Sequence, residues 1–598
     1  MKPNTRSSYM LLLSVLWMVC SVQVFAADEQ MPSVAATHLA TRTSDRLIVK
    51  LKATAGADRI NAISDRSLTA EELSQIDTVA GVSMSEHHQM SSGAHVLSMP
   101  GIPSKSAMAQ AIAAISKLPN VEYAEEDTIE TAQFVPNDQR YAANQMWGMY
   151  PVTSAGVIPS TGAIGSYGAD FQTAWDTSTG AGVVVAVVDT GITPHVDIGG
   201  PNALVTAGTG SNLVSAGYTF ISDCRMRGTT ATGGCAATTL TANAAVAPSA
   251  GALDTGDYIT AQDIIDNPTL FPGPSASDSS WHGTHVAGTI AALGNNGWSV
   301  IGGAYNAKLL PVRVIGKGGG YLSDIADGLR WAAGVHPTIA NPNPAKVINL
   351  SVGGTGACSA TQQNAIDAAV AAGAVVVVAA GNENVDAATV HPASCNNVIS
   401  VAAVAKDGGR ASYSNFSSGA SATTITLAAP GGDMAIGGGS YDPGIVSTVN
   451  GGTTTPVTTL STSYYAFMEG TSMAAPHVSA AAALILSRNP SFTPAQVKSV
   501  LSSSSSVTAF PTFVAGLAIT DCAANGNCGA GILNANLAVL NTPAAYGNYN
   551  GSRTPSGGGG GCTIMPFGAT PDVSLLLALL AAGLYWLCRR MVCARGKA

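Results

Sequence analysis

The chain has 598 residues, long enough for a large core and for more than one folding unit. Only 11% of the residues are charged, and the 66 glycines stand among abundant Ala, Ser and Thr. This composition excludes a disordered chain and favours a closely packed α/β enzyme that works outside the cell. The formal net charge of −9 argues against general nucleic-acid binding.

The first 26 residues have the pattern of a secretion signal. Lys2 and Arg6 provide a positive start, residues 9–20 are mostly apolar, and Val24-Phe25-Ala26 offers the small residues that a signal peptidase needs. A permanent anchor is the less favoured alternative, because the apolar run falls short of the ~20 residues that span a bilayer. We therefore expect an exported protein.

Residues 27–134 are predicted to form a small α+β unit of their own. Strands are expected at 47–51, 95–99 and 121–124, and a helix at 104–118, where apolar residues recur on one face. The unit carries no recognisable site chemistry.

A chain segment of strands alternating with helices follows and ends near residue 540. The strands are continuous β-branched runs, which is typical of a sheet buried on both faces. This alternation predicts an α/β fold with a doubly wound parallel sheet flanked by helices. The expected strands are 182–189, 308–315, 347–351 and 375–382, and helices are expected at 323–335 and 362–372.

Polar residues stand at the ends of these elements, where parallel sheets place their active groups. Asp189 ends a strand, His282 begins a helical pattern, and Ser472 follows Gly470 in a tight turn. Taken singly, the Asp and the Ser read equally well as helix caps, and Asn382 as a turn residue. Pro476 is expected in the first turn of a helix, where its missing N–H costs little.

Together the motifs resemble those of subtilisin-like serine proteases. They are Asp189-Thr190-Gly191, His282-Gly283-Thr284-His285, Ala380-Gly381-Asn382 and Gly470-Thr471-Ser472-Met473-Ala474-Ala475-Pro476-His477, in the order Asp, His, Ser. His285, one turn after His282, is expected to be structural. The resemblance covers about residues 137–540, and the unit before it resembles the inhibitory propeptide of the same family.

The resemblance implies a role for each matching residue. Asp189, His282 and Ser472 form a catalytic triad, and Asn382 donates to the oxyanion with the Ser472 N–H and the Thr471 hydroxyl. The substrate-binding residues would be Ser351, Val352 and Gly353 in the wall of the first pocket, Gly319 and Gly320 at the edge that pairs with substrate, and Glu383 at the pocket rim. The alternative for Glu383 is an exposed loop residue without influence on specificity.

Calcium is the cofactor that the resemblance implies, in a structural role. Asp138 and Asp197 match calcium-ligating positions, and Asn295 lies in a loop of slightly altered spacing. Catalysis itself needs no cofactor. Two further departures from the shortest family members are a long insertion at 199–280 and a second one at 505–530.

The body contains six cysteines, and an even count in an exported chain predicts disulfides. Short spacing favours Cys224–Cys235 and Cys522–Cys528, which leaves Cys358–Cys395.

The carboxyl-terminal part has the layout of a sorting tail. Residues 541–572 read as a Gly, Ser and Pro-rich linker, 573–588 as an apolar transmembrane segment, and basic residues follow. Cys562 is a candidate for processing or lipid attachment, and an anchor that is never cut is the alternative. We expect an extracellular or cell-surface protein that contacts the membrane through this tail.

The sequence thus predicts a secreted serine endopeptidase made as a zymogen, with catalytic domain 135–540. Its partners would be protein or peptide substrates and its own propeptide. One alternative is a processing protease of narrow specificity, and another is a catalytically silent binding protein on the same fold.

Overall fold

The computed structural model describes residues 23–26, 45–52, 68–90, 92–100, 105–127, 136–152, 166–199, 211–227, 246–271, 276–418, 424–435, 444–457, 464–511, 522 and 528–544. The strands are β1 (Gln23–Ala26), β2 (Arg46–Leu51), β3 (Ser85–Gln89), β4 (His95–Ser98), β5 (Val121–Glu126), β6 (Val184–Asp189), β7 (Tyr218–Thr219), β8 (Ser249–Ala250), β9 (Lys308–Arg313), β10 (Val347–Leu350), β11 (Gly354–Thr355), β12 (Val375–Ala379), β13 (Val390–His391), β14 (Ile399–Val404), β15 (Leu427–Pro430), β16 (Ile445–Val449), β17 (Tyr464–Met468), β18 (Val507–Thr508) and β19 (Ile532–Leu533).

The α-helices are α1 (Ala70–Ala80), α2 (Lys105–Ile115), α3 (Gln139–Ala142), α4 (Phe171–Ala174), α5 (Val196–Gly199), α6 (Cys224–Arg227), α7 (Ala261–Asp266), α8 (His282–Ala291), α9 (Leu322–Ala332), α10 (Ala360–Ala371), α11 (Thr471–Arg488), α12 (Pro494–Leu501) and α13 (Ala535–Leu540). Short 3-10 turns lie at Trp147–Met149 and Ala387–Thr389.

A ten-stranded sheet organises the larger part of the chain. Its strand order is β18-β19-β15-β14-β12-β10-β6-β9-β7-β8. The pairs from β19 through β7 are parallel, and only the outermost pairs, β18 with β19 and β7 with β8, are antiparallel. The predicted parallel sheet is therefore present, with an antiparallel strand added at each edge.

Both faces of this sheet are covered, which explains the continuous apolar strands. In β6, Val185 and Val187 belong to a core with α8, α11 and α13, whereas Ala186 and Val188 face a second core with α9 and α10. The predicted helices at 323–335 and 362–372 are these two, α9 and α10, slightly shifted. The sheet is thus doubly wound, with the long helix α11 on one face.

The amino-terminal unit has a four-stranded antiparallel sheet of order β3-β4-β2-β5, against which α1 and α2 pack. The three expected strands and the expected helix are present. Helix α1 and strand β3 were not expected; a capping box between Thr69 and Glu72 begins α1, and that is a signal the sequence does contain.

Two features concern the expected processing segments. Strand β1, within the predicted signal peptide, pairs antiparallel with β17. Within the described residues no helix is long and apolar enough to cross a membrane. The predicted transmembrane segment 573–588, Cys562 and the part of the predicted linker after residue 544 lie outside the described residues.

Packing under α8 gives a first testable prediction. Ile290 of α8 is fully buried, whereas Ile265 of α7 is 70% exposed. We expect Ile290→Ala to lower the free energy of unfolding by about 2–5 kcal/mol, because truncation removes apolar contacts and leaves a cavity. Ile265→Ala should change it by less than about 0.5 kcal/mol. Equal costs in chemical denaturation would contradict this packing.

Candidate active site

The carboxyl end of β6 meets the amino-terminal end of α8. Asp189, fully buried at the end of β6, receives the His282 ring through Nδ1, which lies 2.8 Å from Oδ1 and 2.9 Å from Oδ2. The close approach requires Gly283, because a Cβ there would stand 2.3 Å from the carbonyl oxygen of Gly191. The neighbouring His285 is buried and its Nε2 bonds the carbonyls of Ile445 and Ala466, so it is structural as predicted.

The environment of His282 favours its charged form. Burial lowers the pKa of the imidazole, but attraction and hydrogen bonding by Asp189, with further attraction by Asp257 and Asp254, outweigh burial and raise it overall. By contrast, burial lowers the pKa of His285 to about 3, so that ring is neutral. The pKa values of two imidazoles one helical turn apart are therefore shifted in opposite directions.

The insertion supplies the carboxylates behind this pair, which the sequence analysis missed. The Thr190 hydroxyl donates to Asp254 at 2.6 Å, and Ser280 donates to Asp257 from its N–H and its hydroxyl, both at 2.7 Å. Arg313 is buried and its Nε donates to the carbonyl of Thr190. The run Leu253-Asp254-Thr255-Gly256-Asp257 was the available signal, yet it lies in an insertion without a matching motif.

Ser472 lies in the first turn of α11. The turn before it needs Gly470, whose φ is +152°, and the Ser472 N–H has no hydrogen-bond partner among the described residues. The Ser472 hydroxyl donates to the carbonyl of Ser351 at 3.1 Å in this resting arrangement. This hydroxyl is therefore bonded to the segment after β10 and not to His282.

The prediction for Pro476 is wrong. Helix α11 begins at Thr471, so Pro476 lies in its interior. A proline there cannot bond the carbonyl four residues earlier, which belongs to Ser472. That carbonyl instead accepts the Ser351 hydroxyl at 2.9 Å. Because of the proline, the Ser472 carbonyl can instead join the start of α11 to the segment after β10.

Asn382 is oriented by Thr471. Its Oδ1 accepts the Thr471 N–H at 2.8 Å and the Thr471 hydroxyl at 2.9 Å, which leaves Nδ2 as the side-chain donor. The Thr471 hydroxyl donates its one proton to Asn382 here, and its role as a donor to the oxyanion stays a prediction. The same hydroxyl accepts the Gly381 N–H at 3.0 Å.

The glycine edge after β9 also needs a correction. Gly319 exchanges both of its backbone hydrogen bonds with Gly316, at 2.8 and 3.1 Å. Among the described residues, the backbone groups of Gly318 and Gly320 have no partner, so these two, not Gly319, are open to an added strand. Lys317 anchors the turn to the insertion, with Nζ 2.7 Å from Asp263 and 4.1 Å from the Tyr258 ring centroid.

The opposite wall contains the remaining substrate-binding candidates. Ser351 is buried, Val352 is partly buried and Gly353 is exposed. A Cβ on Gly353 would lie 2.7 Å from the carbonyl oxygen of His391, so position 353 accommodates only glycine without a shift of the backbone. Glu383 is exposed, and its Oε2 accepts from Asn415 Nδ2 at 2.7 Å.

The three calcium candidates lie in one region. Asp138 Oδ2 accepts the Asn295 N–H at 2.9 Å, while its buried Oδ1 has no hydrogen-bond partner in the described part of the chain. Asp197 is buried and accepts from Asn296 and Tyr465, at 2.9 and 2.8 Å. Burial raises the pKa of Asp138 to about 6 and that of Asp197 to about 7. The described residues contain no group of three or more His, Cys, Asp and Glu suited to a metal.

Two of the predicted disulfides are present. Cys358 is bonded to Cys395 and Cys522 to Cys528. Cys224 is also in a disulfide, and its predicted partner Cys235 lies outside the described residues.

Comparison with known proteins agrees with this geometry. The model of the subtilase family, peptidase S8, matches residues 180–548, more than half of the chain. An extracellular protease of Xanthomonas campestris pv. campestris is 42% identical over 70% of this chain, and an extracellular basic protease of Dichelobacter nodosus is 38% identical over 77%. The chain therefore belongs to the subtilase family.

The similarity extends to a solved structure. A protease from Pseudoalteromonas arctica has 40% identity, covers 68% of this chain and 100% of its own, and gives a TM-score of 0.53. The fold is accordingly the predicted subtilisin-like α/β fold. The match spans 59% of the Xanthomonas protein and 66% of the Dichelobacter protein, less than two thirds of either.

The insertion's carboxylates lead to a prediction about His282. Asp189, Asp254, Asp257, Arg313 and His285 are the charged or titratable groups around it. Replacing Asp257 with Asn removes one attraction, so we expect the pKa of His282 to fall. Titration of ¹³C-labelled imidazole by NMR measures this.

Asp266→Asn is the matched control, since Asp266 lies in the same insertion but is exposed. The interpretation is wrong if both substitutions leave the titration unchanged, or if the control shifts it equally.

Proposed function

We propose that the chain is a serine endopeptidase that hydrolyses peptide bonds through an acyl-enzyme. The observation that carries this is the buried Asp189 carboxylate bound to His282 Nδ1, combined with Ser472 in the first turn of α11. Membership of the subtilase family supports it.

In this proposal Ser472 Oγ attacks the scissile carbonyl while His282 Nε2 takes its proton. Asp189 fixes the imidazole with Nδ1 protonated and stabilises the cation that forms, and His282 then protonates the leaving amine. Water repeats the sequence on the acyl-enzyme, with His282 again as base. The carboxylates of Asp254 and Asp257 add to the field that favours the imidazolium.

The oxyanion would be held by two donors. Asn382 Nδ2 is one, since its Oδ1 is occupied by Thr471, and the unpartnered Ser472 N–H is the other. Donors fixed before the reaction lower the barrier without reorganising during it. The α11 dipole at the same place also favours negative charge.

Substrate would bind as an extended strand. The unpaired backbone groups of Gly318 and Gly320 alternate as an added strand requires, and Gly353 lines the opposite side. We accordingly propose protein or peptide substrates, without commitment to their sequence.

The proposal includes export and zymogen activation. The signal-like segment 1–26 and the names of the extracellular relatives support export. The separate α+β unit ahead of the sheet domain supports a propeptide that inhibits the enzyme until it is cut off. The carboxyl-terminal anchoring tail remains a proposal from its composition alone.

Ser472→Ala tests the reaction. We expect this variant to lose labelling by a fluorophosphonate and to remain an unprocessed precursor in a host lacking other proteases, because no nucleophile is left. Ser487→Ala, in the same helix but bonded to the carbonyl of Ala181, is the control and should label and mature normally. Maturation of the Ser472→Ala protein would refute self-processing, and labelling elsewhere would refute the assignment of Ser472.

We further propose one structural calcium ion near Asp138 and Asp197. The fit rests on two buried carboxylates, one of them with an unpartnered oxygen, and on the absence of any salt bridge from Lys or Arg to either within the described residues. An oxygen-rich buried site of this kind suits calcium, which would neutralise the carboxylates and join the amino-terminal end of the domain to the loop at Asn295.

Removal of calcium gives the corresponding prediction. A ligand at 100 times its dissociation constant stabilises the native state by about 2.7 kcal/mol, so excess EDTA should lower the melting temperature of the mature protein. In Asp197→Asn the difference between calcium and EDTA should disappear, whereas in Asp266→Asn it should persist. Equal melting temperatures with calcium and EDTA in the unsubstituted protein would exclude the site.

A further inference from the structure

Asn415 is a buried side chain beside Asn382 that no motif identified. It lies in the segment after β14, is fully buried, and belongs to neither the strands nor the helices. A primary amide has two donors and one oxygen with two lone pairs, and burying it without partners is costly. The two donors and the oxygen of Asn415 therefore need hydrogen-bond partners within the protein.

All four hydrogen-bonding positions of this amide point to one short segment. Nδ2 donates to the carbonyl of Ala380 at 2.9 Å and to Glu383 Oε2 at 2.7 Å. Oδ1 accepts the N–H groups of Glu383, at 3.1 Å, and of Val385, at 2.9 Å. The Asn415 N–H adds a fifth bond, to the carbonyl of Gly381 at 3.0 Å.

These partners surround Asn382 on both sides in the sequence. The segment leaves β12 through Gly381, with φ of +101°, and passes Asn384, with φ of +54°. Glycine and asparagine adopt this left-handed conformation more readily than other residues, and the hydrogen bonds around the segment hold it there. Thr471 holds the side chain of Asn382, and Asn415 holds the backbone from which that side chain projects.

We propose that Asn415 is a positioning residue for the oxyanion donor Asn382. This inference rests on the proposed function, in which Asn382 Nδ2 meets the developing oxyanion. A donor acts fully only within hydrogen-bond distance of that oxygen, and a displacement of about 1 Å can cost on the order of 10²-fold in rate. Asn415 acts through Asn382 and does not itself touch the substrate.

Substitution of Asn415 should therefore lower kcat and leave KM little changed. Asn415→Asp keeps the size and the acceptor but loses both donors and places a carboxylate against Glu383 and the Ala380 carbonyl. We expect a loss of kcat on the order of 10–10²-fold. Adding Glu383→Gln should recover part of it, because the glutamine amide can donate to the new carboxylate. If Asn415 only stabilised the fold, Glu383→Gln would not restore kcat when the variants are compared at the same folded fraction.

A double-mutant cycle with Asn382→Ala is the decisive test. If Asn415 acts by aiming Asn382, its substitution should have little further effect once the Asn382 side chain is absent. The inference is overturned if Asn415→Asp lowers kcat by the same factor in both backgrounds. If Asn382→Ala alone leaves kcat unchanged, the oxyanion assignment in the proposed function is at fault instead, so the two failures are distinct.

Asn212→Asp provides the matched control for buried-amide damage. Asn212 is also buried, and its Nδ2 donates to the carbonyls of Ala291 and Tyr305. It should lower the melting temperature without a selective loss of kcat per folded molecule. The inference is equally overturned if this control reduces kcat as strongly as Asn415→Asp does.

Discussion

A carboxylate buried at the end of a central strand is the constraint on which this site depends. Asp189 is inaccessible to solvent, and an ionised carboxylate is stable there only when its oxygens are bonded and a cation is near. The Thr190 N–H and the His282 ring provide the bonds. His282 is the first residue of α8, so the start of this helix must lie close to the turn after β6. Only a glycine at position 283 allows that close approach.

The insertion at 199–280 contributes to the balance of buried charges around this site. Arg313 is buried, and one of its guanidinium nitrogens, Nη2, has no hydrogen-bond partner among the residues that the structure describes. Burial lowers the pKa of Arg313, and Asp254 and Asp257 act against that effect. An uncompensated buried charge is strongly destabilising. The carboxylates of the insertion therefore balance a cation behind the dyad and at the same time favour the imidazolium.

Much of the fold was predictable because its signals are local. Continuous β-branched runs identify β6, β9, β10 and β12, and the parallel order follows from their alternation with helices. The antiparallel edge strands β8 and β18, and β7 next to β8, were missed because two-residue strands have no measurable period. The start of α11 was misplaced because Pro476 was taken as a boundary, whereas the carbonyl it leaves unbonded is satisfied from another segment, by Ser351.

The residues of the site fall into two groups. Some belong to sequence motifs, and others are brought together only when the chain folds. Asp189, His282, Asn382 and Ser472 stand in recognisable motifs, so the sequence alone was enough to predict their roles. Asp257, Arg313 and Asn415 act through partners distant in sequence, as the separation of Asn415 from Ala380 illustrates. The residue type alone does not predict these roles. An asparagine, for example, occurs in turns of many kinds. Thr471 shows the converse: its motif was recognised, but the hydrogen bond from its hydroxyl to Asn382 is visible only in the folded chain. A motif therefore selects the residues for which a role in the reaction can be proposed, while the hydrogen bonds of the folded chain show which of their donors and acceptors are already in use.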